Sequence, residues 1–86
     1  MIQQQYQDQI ATYVSQGGWI GDIANKITNL LGMYAAQSLP AEALIHMLTE
    51  MLKMTDANGT PEDLLAKVEL NTVIDGIIAD AKAAWV

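Results

Sequence analysis

Eighty-six residues set a limit of one domain. Four lysines, no arginine and ten acids give a net charge of −6, which opposes phosphate backbones and anionic membrane surfaces. The absence of cysteine, beside a single histidine, leaves no thiol chemistry and no zinc cluster. Hydrophobic residues make up 51% of the chain and charged residues only 16%, more apolar surface than so small a chain can readily hide, so association with other chains is expected.

In chain order, Ile2, Tyr6, Ile10, Tyr13 and Val14 recur at helical spacing opposite Gln3, Gln4, Gln7, Asp8 and Ser15. This pattern predicts a first helix over residues 2–15, ended by Gly17-Gly18. The opening MIQQQYQDQI has neither a basic n-region nor an apolar h-region, so a cytoplasmic, non-secreted protein is expected. No apolar run approaches the roughly 20 residues of a membrane span.

Residues 19–37 read as a second helix, with Ile20, Ile23, Ala24, Ile27, Leu30, Leu31 and Tyr34 on one face. The small residues Gly21, Thr28, Gly32 and Ala35 run beside it. Two interior glycines each cost roughly 0.8–1.0 kcal/mol relative to alanine, so close packing is expected along that strip.

After Ser38-Leu39-Pro40, in which Ser38 is the expected cap and Pro40 lies in the first turn, comes a third helix over residues 41–54 (AEALIHMLTEMLKM). Its polar residues Glu42, His46, Thr49, Glu50 and Lys53 occupy a stripe of about 100° at 3.6 residues per turn, and apolar side chains cover the rest. Such a helix is expected at the centre of a bundle or in an interface. Met47, Met51 and Met54 are therefore interface candidates, since methionine suits adaptable binding surfaces.

Ala57-Asn58-Gly59 predicts a turn. Thr60 followed by Pro61, Glu62 and Asp63 predicts the start of a fourth helix, with a side-chain cap, a proline at the first position and acids at the positive end of the dipole. Leu64, Leu65 and Val68 then share a face about 150° from that of Val73, Ile74, Ile77, Ile78, Ala81 and Trp85. One straight helix cannot bury both, so a break is predicted near Leu70-Asn71, with a fifth helix over about residues 72–84. Thr72 and Asp75 would then cap a fifth helix. The alternative is one long helix whose halves face different neighbours.

Three short patterns fall short of chemistry. Glu42, His46 and Glu50 at i, i+4 and i+8 offer one helix too few ligands for a metal. Asp56-Ala57-Asn58-Gly59-Thr60 has its glycine two positions early for a calcium loop and lacks the closing glutamate. Ser38-Leu39 with Leu44 and Leu48, in an acidic chain of this size, resembles the acyl carrier protein, where a serine before the second main helix carries phosphopantetheine. The aspartate expected before that serine is Gln37 here, and the long loop expected upstream reads as helix, so no site is carried over. No catalytic, cofactor-binding or metal residue emerges.

The sequence thus predicts an all-α single domain over residues 1–86, a compact bundle of four to five short helices with the third central. Trp19, Trp85 and Val86 join the methionines as interface candidates, because tryptophan is enriched at interface hot spots and the chain ends apolar. The expected function is non-catalytic. The chain would bind a protein partner or itself, as a small structural or assembly subunit of a virion or similar complex. A small regulator of a host enzyme and a carrier or ligand-binding bundle are the alternatives.

Overall fold

A computed structural model describes residues 2–54 and 59–84, with side chains from Tyr6 onward. Four helices account for nearly all of them: α1 (Ile2–Gln16), α2 (Gly18–Ala35), α3 (Ala41–Lys53) and α4 (Pro61–Ala84). No strand occurs among the described residues. The molecule measures 39 × 21 × 18 Å. Its long axis matches α4, whose 24 residues span about 36 Å at 1.5 Å per residue.

Gly17 and Gly18 join α1 to α2 with φ of 70° and 61°, a region that L side chains avoid. The reversal brings α2 hard against the end of α1. A Cβ on Gly21 would lie 3.2 Å from the Val14 carbonyl oxygen, which is the close approach expected of the small-residue strip. Gly32 does not share it; its surroundings are open.

The α2 terminus departs from expectation. Gln37 takes the left-handed conformation, φ 63°, while the Ser38 N–H donates to the Met33 carbonyl (2.9 Å) and the Gln37 N–H to that of Tyr34 (3.1 Å). This pair of bonds is a Schellman motif. Ser38 therefore closes α2 and does not cap α3, whose cap position falls to Pro40 without a side-chain bond.

Fully buried Ile10, Ile23, Ile27, Leu31, Leu44, Leu48, Leu70, Ile74 and Ile77 form one core to which all four helices contribute. α2 and α4 each pack against all three other helices, whereas α3 meets only α2 and α4. The central place expected for α3 is thus held by α2 and α4. The physical reason lies in α3 itself: Leu44, Leu48 and Met51 face inward, while Met47 and Met54 on its wide apolar arc stay outside.

α4 runs unbroken past Leu70-Asn71, so the predicted fifth helix does not exist. Thr72, its expected cap, instead donates its hydroxyl to the Val68 carbonyl (3.4 Å) within the helix. Ala66, Lys67, Leu70, Val73, Ile74, Ile77, Ile78 and Ala81 make one continuous buried face. The conflict in apolar phase is resolved by exposure: Leu64, Leu65 and Val68 are 49%, 61% and 63% accessible.

The start of α4 follows the sequence closely. The Asp63 N–H donates to Thr60 Oγ1 (3.1 Å), and the Thr60 N–H donates to Asp63 Oδ2 (3.3 Å). This reciprocal pair is a capping box with Asp in place of Glu. Thr60→Ala is expected to lower stability by about 1 kcal/mol, the usual cost of an N-cap side chain. Equilibrium denaturation of the two proteins checks this; an unchanged midpoint would show that the box contributes nothing.

Candidate interaction surface

The exposed part of α3 faces a shallow groove shared with α2. Lys26, Asn29 and Leu30 form its α2 wall, spaced so that they lie on one helical face. His46, Met47, Glu50, Met51 and Met54 form the α3 wall, repeating at three- and four-residue intervals. The groove encloses about 570 Å³. All three methionines singled out in the sequence meet here, but they do different work.

Met51 is 9% exposed and belongs to the core, so it forms the floor. Met47 and Met54 are 41% and 37% exposed and line the rim. Leu30 is half-buried against the core. Lys26 and Asn29 on one wall and His46 and Glu50 on the other supply its polar groups. The Glu50–Lys53 pair, 3.8 Å apart on α3, is well exposed and contributes little to stability.

Met33 is also exposed, three residues beyond Leu30 on α2, and extends the same helical face. On the other side of α3 a recess lined by Pro40, Glu42, Ala43, Ile45, His46 and Thr49 encloses about 540 Å³. His46 stands between the two hollows. Glu42, His46 and Glu50 do not converge: no group of three or more metal-ligating side chains occurs among the described residues.

Trp19 is half-buried against the core at the start of α2, which restricts it as a surface anchor. Trp85 and Val86 lie outside the described residues, as does the Ala57-Asn58 part of the expected turn. No helix among the described residues is long and apolar enough to cross a membrane.

The second exposed apolar area, Leu64, Leu65 and Val68 on α4, was not expected at the surface. Lys67 explains it. Its side chain is buried, and its ammonium donates to Asn71 Oδ1 (2.7 Å) and to the Leu52 carbonyl (3.3 Å). That carbonyl lies in the last turn of α3, where acceptors lack partners within the helix and a cation is favourable. Burial lowers the Lys67 pKa from its ordinary value, because desolvation penalises the charged form. Turning Lys67 inward carries Leu64, Leu65 and Val68 outward on the same helix. A lone lysine among apolar neighbours gave no sequence signal of this inversion.

Two tyrosines fasten α1 to α4. The Tyr6 hydroxyl donates to Asp80 Oδ2 at 2.6 Å, and the Tyr13 hydroxyl reaches Glu69 Oε2 at 3.5 Å. The Tyr6 pKa is raised chiefly by its bond to Asp80, then by burial and by the charge of Asp80. Burial, then the charge of Glu69, raises that of Tyr13. Neither tyrosine lines the α2–α3 groove.

No protein-family model matches this chain, and comparison with curated proteins and with solved structures likewise found no match.

Proposed function

We propose that this four-helix bundle is a non-catalytic protein–protein interaction protein, a small structural or assembly subunit of a larger complex such as a virion, acting in the cytosol. The observation that supports the reading best is the methionine-lined groove between α2 and α3. Met47 and Met54 stand on its rim, and Met51 closes its floor. Unbranched thioether side chains adapt to an incoming apolar surface at little packing cost. A bound helix would cover both rim methionines together, in the manner of helix-in-groove recognition. The occupant would be a protein partner or a second copy of the chain. Nucleic acid is disfavoured by the net charge of −6.

Sedimentation velocity on the purified chain at micromolar concentration, together with affinity purification from its native source, tests the proposal. The expected result is an oligomer, or a complex of fixed stoichiometry. A chain that is monomeric alone and recovered without partners would overturn it. Covalently added mass on the native protein would point to a carrier.

A further inference from the structure

Going beyond the groove, and resting on the reading of the chain as an interaction protein, we propose that the outer face of α4's first half is a docking site for a basic amphipathic helix of a partner protein. Leu64, Leu65 and Val68 are 49%, 61% and 63% exposed and lie within about 100° on the helical wheel. Three such residues on one face form the apolar strip that an opposing helix covers.

Along α4 itself, the exposed charge beside this strip has one sign. Glu62 and Glu69, both exposed, fall together on the wheel beside Leu65; exposed Asp75 continues the line of Val68 two turns on. None of the three pairs with a described cation. Glu69 receives only the long 3.5 Å contact from Tyr13. Lys67, the one cation between Pro61 and Ala81, is turned inward and bonded to Asn71 and Leu52. The face therefore offers apolar contact with an uncompensated acidic border.

A second copy of this chain would set those acids against their own equals, at a net charge of −6 per chain. A nucleic acid or an anionic bilayer would be repelled in the same way. A partner helix carrying Lys or Arg matches it instead. Glu62 and Glu69 are seven residues apart, about 10 Å along the axis, so the matching cations recur about two turns apart and flank large apolar residues.

Isothermal titration calorimetry against a designed helical peptide of about five turns tests this. One form has leucines on one face flanked by lysines seven residues apart, and the other has each lysine replaced by glutamate. The lysine form should bind and the glutamate form should not. Leu65→Gln/Val68→Gln should weaken binding at least about tenfold. Glu62→Gln/Glu69→Gln/Asp75→Asn should weaken it similarly and remove most of its salt dependence. Thermal melts should stay close to the parent for Leu65→Gln/Val68→Gln and fall slightly for the acid variant, because all five side chains are exposed but Glu62 lies in the first turn of α4 and Glu69 accepts the long Tyr13 contact.

Equal binding of both peptides, or full binding by the Leu65/Val68 variant, would overturn the proposal. Self-association lost in that same variant would do so too, because it would assign the face to a second copy. The function proposed above fails separately: substitution of Met47 and Met54 reports on the groove and leaves the α4 titration untouched.

Discussion

Replacing Tyr6 with alanine is expected to destabilise the fold by about 3–5 kcal/mol, the range for removing a large buried aromatic side chain. The ring sits between α1 and α4, 8% exposed, and its hydroxyl donates to Asp80 at 2.6 Å. The fit depends on Gly76. A Cβ there would lie 3.1 Å from the Tyr6 hydroxyl oxygen and 3.3 Å from Cε1. Gly76→Val should therefore cost about 1–3 kcal/mol through overpacking, despite valine's better helix propensity. The double variant should be less destabilised than the two single effects added, because removing the ring frees the space that valine needs.

Tyr6→Phe keeps the ring and loses only the bond to a carboxylate, worth about 1.5 kcal/mol. Its cost should depend on pH with a definite sign. The folded-state pKa of Tyr6 is raised above its ordinary 10.0, so the native state holds its proton longer than the unfolded chain. The stabilisation is fully present below pH 10.0 and is lost as pH rises through the folded-state value. The stability difference between parent and Tyr6→Phe should shrink over that alkaline interval. Comparing the two proteins cancels the parallel contributions of Tyr13 and Lys67. Denaturation midpoints across the alkaline range measure it, and a constant difference would contradict the hydrogen-bond account.

Met51→Ala is the second large effect, a loss of about 2–5 kcal/mol from a cavity under the α2–α3 groove. Met47→Ala and Met54→Ala should each cost less, about 1 kcal/mol, because both side chains are only partly covered. If the groove is the interface, those two rim variants should still weaken association by more than about 1 kcal/mol. Paired melts and sedimentation measurements on the three proteins separate fold from contact. Stability lost equally by all three would place the rim methionines in the core. Association untouched by Met47→Ala and Met54→Ala would remove the groove from consideration.

The features legible in the sequence were those governed by local chemistry. Thr60-Pro61 marks a helix start because capping is settled by a hydroxyl and a few neighbouring N–H groups, whatever lies beyond. Gly17-Gly18 marks a reversal because few other residues tolerate its φ values. The inward face of α3 was not legible, because an apolar arc that wide fits several rotations, and only contact with α2 and α4 selects one. The predicted break in α4 failed on a single assumption, that Leu64, Leu65 and Val68 had to be buried. Ala66 and Lys67 occupy the inner face instead, in phase with buried Leu70, Ile74 and Ile77, and Lys67 reaches the Leu52 carbonyl. Gly76 carries no local sequence signal; its meaning exists only once the Tyr6 ring lies across it.

The Tyr6–Asp80 bond joins residues 74 apart in the sequence, nearly the whole chain. Closing so long a loop carries an entropic cost that local contacts avoid. α1 and α2 can pair as soon as both exist, through the glycine reversal at Gly17 and Gly18. The seat for the Tyr6 ring is built from Gly76 and Asp80, so it is absent until that part of α4 has formed. During translation the first helix thus emerges with one of its two flanks uncovered, and it stays so until α4 arrives. α1 therefore has an early partner in α2 and a late one in α4, and its packing is complete only when both are in place.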